Sequence, residues 1–149
     1  MVIIRPIQRD EVEAAKQVIE TVCLEFFGHA PHDFEDMDDI RAQYSGDSGI
    51  FLVLADNNKI VGTGAIRRID NYTCELKRMW FLQEYRGRGF GKEMAQSLLK
   101  RARQMGYKRV RLDTSPELVQ ATGLYVRLGF QPIERYNDGP CSLFMEMTL

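Results

Sequence analysis

Six consecutive residues, Arg86-Gly87-Arg88-Gly89-Phe90-Gly91, form the pattern Arg-x-x-Gly-x-Gly between a strand-like run ending near Leu82 and an apolar-periodic helix. The backbone is the reagent here. Glycine lets the chain turn tightly and lets a phosphate approach the main chain, and the helix start adds unpaired N–H groups and a partial positive charge. Arg86, Arg88 and Lys92 bring full charges to the same place, so the segment predicts an anion nest. Its spacing is neither that of a Walker loop nor that of a Gly-x-Gly-x-x-Gly dinucleotide turn.

The elements that must hold this nest follow from periodicity. Val2 to Ile7 reads as a strand at or near an edge, interrupted by Pro6. Asp10 and Glu13 have capping-box spacing before a helix with Val12, Ala15, Ile19, Val22 and Phe26 on one face and Gly28 as its stop. A second short helix is expected over Asp38 to Tyr44. Ile50 to Asp56 and Lys59 to Ile69 are β-rich runs joined by Asn57-Asn58, residues suited to a tight hairpin, and Thr73 to Leu82 is a third strand. Phe90, Met94, Leu98 and Ala102 then recur at one-turn spacing up to Gly106. Arg109 to Thr114 is a strand. Ser115-Pro116 is placed to cap a helix through Leu118, Ala121, Tyr125 and Leu128 that ends at Gly129, and Phe130 to Arg135 and Cys141 to Thr148 are two further strands. The order β-α-α-β-β-β-α-β-α-β-β implies an α/β fold with a mixed sheet and helices on both faces.

A chain of 149 residues fits one domain, 1–149, with one core, and no apolar run approaches a membrane span. The start reads as a strand instead of a signal peptide, and Cys23, Cys74 and Cys141 have no ligand or disulfide spacing, so reduced thiols in a cytoplasmic protein are expected. The net charge of −1 conceals segregation: Asp10 to Asp47 carries eleven acids against Lys16 and Arg41, while Arg86 to Arg111 carries nine bases against Glu93. That arrangement suits a site gripping a polyanion and facing a cationic substrate, or simply two solvated faces.

The glycine segment, followed by Leu124-Tyr125-Val126-Arg127-Leu128-Gly129-Phe130 and preceded by the opening Ile4-Arg5-Pro6, resembles the GNAT superfamily of N-acetyltransferases over nearly the whole chain. Glu75-Leu76-Lys77-Arg78-Met79 and Leu112-Asp113-Thr114 resemble a branch of small bacterial members. The resemblance implies a mostly antiparallel mixed sheet of about seven strands and acetyl-CoA as co-substrate. Its pyrophosphate would lie on the amides of Arg86, Gly87, Arg88, Gly89, Phe90 and Gly91, with the Lys92 charge beside them, and its pantetheine arm would add to the strand at Met79, Trp80 and Phe81. A backbone N–H at that strand end would polarise the thioester carbonyl. Leu118 stands where many members have an asparagine that bonds the pantetheine.

Acetyl transfer to an amine needs a deprotonated nucleophile and a proton for the departing thiolate. An alkylamine with a pKa of about 10.4 must lose a proton to a base or bridging water. By the resemblance Glu75 is one candidate base, its alternative being a strand glutamate paired with Lys77 or Arg78. Asp113 is another, its alternative being a brace for the Thr114-Ser115-Pro116 turn. Tyr125 occupies the family's general-acid position. Asp33, Glu35, Asp36, Asp38 and Asp39, with His29 and His32, fall where the family's acceptor site is rimmed, which points to a small cationic amine or to a solvated loop.

These expectations amount to direct attack in a ternary complex, with no metal, no nucleic-acid or membrane partner, and a monomer or homodimer. No Cys/His pairing supports a covalent intermediate. The rival readings are a non-catalytic acyl-CoA sensor or scaffold and a protein N-acetyltransferase. A nucleic-acid-binding domain would use Lys100, Arg101, Arg103, Lys108, Arg109 and Arg111, but the chain has no net positive charge.

Overall fold

The computed structural model describes residues 1–31, 34–44, 46 and 48–149. His32 and Asp33 therefore lie outside the described residues. Seven strands, β1 (Val2–Pro6), β2 (Ile50–Asp56), β3 (Lys59–Arg68), β4 (Thr73–Phe81), β5 (Arg109–Thr114), β6 (Gln131–Pro132) and β7 (Leu143–Thr148), form one sheet in the order β1-β2-β3-β4-β5-β7-β6. Every pairing is antiparallel except β4 with β5. The helices are α1 (Val12–Phe27), α2 (Glu35–Asp38), α3 (Ile40–Tyr44), α4 (Phe90–Gln104) and α5 (Val119–Leu128).

The apolar run of β2 is buried on both faces, so its residues divide between two cores. Phe51, Val53 and Ala55 pack with Ala15, Ile19 and Val22 of α1, whereas Leu52 and Leu54 share a cluster with Met94, Leu98 and Ala102 of α4 and Tyr125 of α5. The expected Asn57-Asn58 hairpin is present, with φ of 48° and 73°.

Several boundaries differ from expectation for identifiable reasons. The reciprocal turn before α1 uses Gln8 and Glu11, with the Gln8 N–H donating to Glu11 Oε1 at 2.8 Å, because Arg5 holds the same carboxylate through two bonds of 2.7 and 2.8 Å. Asp10 and Glu13 do not form that box. The short helix is two pieces, α2 and α3. Ser115-Pro116 closes a turn in which the Leu118 N–H donates to the Ser115 carbonyl, and α5 starts only at Val119. Beyond β6 the Arg135 guanidinium binds the carbonyls of Asn137, Gly139 and Cys141, so 133–142 folds as a loop and β7 begins at Leu143.

One irregularity controls the geometry of β4. Thr63 faces Trp80 and Ala65 faces Lys77, so Gly64 alone opposes both Arg78 and Met79, a bulge with Arg78 at φ 58°. A Cβ on Gly64 would come within 3.0 Å of the Met79 sulfur and 2.7 Å of Met94, so glycine provides the space the bulge fills. The extra residue also reverses the alternation. Leu76 joins the α4 core, Met79 and Phe81 join it after the bulge, and the Arg78 side chain turns to α2.

There Arg78 makes a bidentate pair with the buried Asp36, its Nε at 3.0 Å, and the Tyr44 hydroxyl donates to the same carboxylate. The Arg78 carbonyl accepts from Thr63 Oγ1 at 2.6 Å. Burial alone would push the Asp36 carboxyl up, but Arg78 and then Tyr44 outweigh it and hold it below the ordinary aspartate range. Asp36→Asn leaves Arg78 buried without its counter-charge and should cost about 3–5 kcal/mol, read as a lower urea midpoint at pH 7. The pair contributes fully above the ordinary carboxyl value of about 3.9 and is lost as pH falls below it towards the depressed folded value. Variant and wild-type midpoints should therefore converge in acid; curves that stay parallel would remove Asp36 as the stabilising partner.

Candidate active site

Strands β4 and β5 pair only over Thr73–Glu75 with Arg109–Arg111, and then they separate. Past that point β5 is paired on its other edge alone, with β7, while β4 from Leu76 to Phe81 has β3 on one side and an open cleft on the other. The cleft runs from the glycine segment, between β4 and α5, to a face formed by Glu75, Lys77, Asp113, Tyr136 and Asn137.

At the glycine end, Gly87 and Gly89 have φ of 74° and 85° with open space around a would-be Cβ, so backbone conformation and not crowding calls for glycine there. The first bond along α4 runs from the Glu93 N–H to the Gly89 carbonyl, and no side chain caps the helix. The N–H groups of Phe90, Gly91 and Lys92 are thus left without intrahelical acceptors, at the positive end of the helix dipole. Gly87, Gly89, Gly91 and Lys92 line the cleft.

The arginines differ from the expected picture. Arg86 Nε donates to the Phe81 carbonyl at 2.8 Å, both terminal nitrogens bind Glu25, one at 2.9 Å, and the guanidinium lies 4.8 Å from the Phe26 ring centroid. Its charge is answered inside the protein, where it ties β4 to α1. Arg88 lies over the rings of Tyr85 and Phe90, and neither Arg88 nor Phe90 contributes to the cleft wall among the described residues. Met79, Trp80 and Phe81 do line it. Met79 and Phe81 are anchored on the α4 side and Trp80, edge-on to Phe27, on the α1 side.

Tyr125 projects from α5 into the same cleft and is 6% exposed. Burial first, and the Asp113 charge second, push its phenol up, so it is a protonated donor at neutral pH. Among the described residues its hydroxyl has no hydrogen-bond partner.

Glu75 is 4% exposed, and its Oε2 accepts from the Tyr136 hydroxyl at 2.6 Å. Its Oε1 is 3.3 Å from Arg67 Nη2 and 3.7 Å from Lys77 Nζ. The expected alternative of a Lys77 pairing is thus partly met, while Arg78 is directed to Asp36 by the bulge. Asp113 accepts from Asn137 Nδ2 at 2.8 Å and does not brace the Ser115-Pro116 turn by any hydrogen bond among the described residues. Burial and then Asp113 raise the Cys141 thiol, which keeps this cleft cysteine protonated.

Sequence reasoning missed Arg67, Tyr136 and Asn137. Arg67 was readable, since the β3–β4 hairpin register sets it opposite Glu75. The other two come from a loop without periodicity. The acids expected to rim the acceptor site are engaged elsewhere: Asp36 with Arg78, Asp38 with Lys16 at 2.9 Å, and Asp39 with the Ala42 N–H. None of Glu35, Asp36, Asp38 or Asp39 lines the cleft among the described residues, whereas His29 does. Among the described residues no cluster of three or more His, Cys, Asp or Glu could hold a metal, and no helix is long and apolar enough to cross a membrane.

Comparison with known proteins agrees with this geometry. The family described as "Acetyltransferase (GNAT) family" matches residues 15–130. The chain is 30% identical over 139 residues to the uncharacterized N-acetyltransferase YjgM of Escherichia coli, covering 89% of this chain and 83% of that protein. It is 37% identical over 102 residues to human N-acetyltransferase 8B, covering 64% of this chain but only 45% of that protein. A GNAT acetyltransferase structure from Staphylococcus aureus superposes with a TM-score of 0.90 at 22% identity, over 99% of both chains. The Thermoplasma acidophilum PaiA N-acetyltransferase, solved in complex with coenzyme A, superposes at 0.76 and 18% identity, over 100% of this chain and 99% of that one. Family match and relatives together make this chain a member of the GNAT family of N-acetyltransferases.

Proposed function

We propose that the protein transfers the acetyl group of acetyl-CoA to a primary amine by direct attack within a ternary complex. The observation that carries this reading is the parting of β4 from β5 beyond Glu75, with uncapped helix amides at one end of the opening and a protonated Tyr125 within it. The amides of Arg86 to Gly91 and the Lys92 charge would hold the pyrophosphate. The unpaired edge of β4 at Met79, Trp80 and Phe81 would hold the pantetheine arm by main-chain hydrogen bonds, one N–H stabilising the oxyanion.

The amine nitrogen then forms its bond to the acetyl carbon as the carbon–sulfur bond breaks. Glu75, Asp113 or a water between them takes the ammonium proton. Tyr125 gives its proton to the departing thiolate and regains one from solvent. Because a thiol near pKa 8.5 leaves readily, this donor helps without being indispensable. The same reading has the protein act in the cytoplasm as a monomer or homodimer, in keeping with its free Cys23, Cys74 and Cys141.

Tyr125→Phe should lower kcat by roughly 10²-fold with acetyl-CoA affinity retained, measured by free-thiol release and calorimetry. An unchanged kcat would remove Tyr125 as the acid. Gly89→Ala forces a side chain into a left-handed conformation at a cost of about 1–2 kcal/mol, so the acetyl-CoA Kd should rise about tenfold. Unaltered affinity would argue against the amide nest.

A further inference from the structure

Resting on the transferase reading, the charges of the cleft point beyond it to the kind of acceptor. Two of its cations are answered by bidentate pairs within the protein, Arg86 by Glu25 and Arg78 by Asp36. Of the cleft cations without such a bidentate partner, Lys92 stands at the glycine segment and Arg127 on α5, while Arg67, Arg68 and Lys77 come from β3 and β4. Arg67 and Lys77 both face the single carboxylate of Glu75, Arg67 through one contact at 3.3 Å and Lys77 at 3.7 Å, outside direct hydrogen-bonding range. The other oxygen of Glu75 is occupied by Tyr136. Around Glu75, two cations against one carboxylate leave one positive charge in excess, on side chains 31% and 25% exposed, while the adjacent Arg68 is turned to Asn71 and the Tyr107 ring. On the neighbouring strand Asp113 lines the same cleft with Asn137 as its hydrogen-bond partner and no cation in ion-pair contact among the described residues.

We infer that the acceptor is a small amine that also carries a carboxylate, a zwitterion of the amino-acid type. Its carboxylate is held by Arg67 and Lys77 and its ammonium group faces Asp113. A carboxylate answers the charge that Glu75 leaves unbalanced on Arg67 and Lys77. Arginine is suited to the task because its planar fork accepts a carboxylate through two parallel bonds, and its present single contact to Glu75 is cheap to exchange. Exchange also returns Oε1 of Glu75 to proton-accepting duty at the moment the acceptor arrives. By contrast, none of Glu35, Asp36, Asp38 and Asp39 near α2 lines the cleft among the described residues.

The test compares acetyl-CoA-dependent thiol release from amino acids, their amides, and the corresponding decarboxylated amines, using wild-type protein, Arg67→Gln and Lys77→Gln. Acetyl-CoA affinity, measured by calorimetry, serves as the check on folding. Wild-type kcat/KM should favour the acids over both carboxylate-free series by at least tenfold, mostly through KM. In either variant this acid-to-amine ratio should fall at least tenfold. Amides or simple amines used as well as the acids, or a ratio unmoved in both variants, would overturn the inference. Acetyl-CoA binding without release from any acid would overturn it too, leaving the transferase reading intact. Failure to bind acetyl-CoA at all would instead bring down the reading beneath it.

Discussion

The site depends on one left-handed residue within a strand. Arg78 adopts φ 58° without being glycine or asparagine, at a cost of about 1–2 kcal/mol. Breaking its buried pair with Asp36 would cost about 3–5 kcal/mol, so the partner chosen by the side chain decides the backbone conformation. Thr63 fixes the carbonyl, Gly64 vacates the space opposite, and Asp36 with Tyr44 receives the guanidinium. The bulge reverses the alternation of β4, sends Met79 and Phe81 to the α4 core, and accompanies the departure of the strand from β5. An ordinary strand here would carry its ladder onward and leave no open edge.

Around that opening, internal pairing sorts the charges by role. Arg86 is spent on Glu25, Phe26 and the Phe81 carbonyl, so it positions the strand end and the loop and adds little field at the nest. What remains for an anion is the set of helix amides and Lys92. Neutral backbone dipoles held by two left-handed glycines need no reorganisation on binding, whereas a long surface side chain must be ordered first.

Element order was legible because each helix and strand shows its own period and most stops are marked by Gly28, Asn57-Asn58, Gly106 and Gly129. The tight glycine turn into an uncapped helix start was legible for the same local reason. Features decided by tertiary competition were not. Asp10 and Glu13 have a capping spacing, but Arg5 draws Glu11 into that role. The run of acids near α2 reads as a rim for a cation until Arg78 and Lys16 claim two of its members. Nothing local marks Arg78 as a bulge, since the usual residues for positive φ are missing and the cause lies 42 positions away at Asp36.

The two ends of the cleft are held apart by different means. At the glycine end the bulge and the Arg86 contacts set the course of β4. At the far end the carboxylates of Glu75 and Asp113 stand on strands that have begun to diverge, and adjacent loop residues tie them, Tyr136 to Glu75 and Asn137 to Asp113. Arg135 keeps that loop closed through three carbonyls, and Tyr136 leans edge-on against Phe144 of β7. Neutral donors make this tie without cancelling either charge. A phenol and an amide thus set the spacing of the two acids, while Arg67 and Lys77 meet Glu75 at its other oxygen and Asp113 has no ion pair among the described residues.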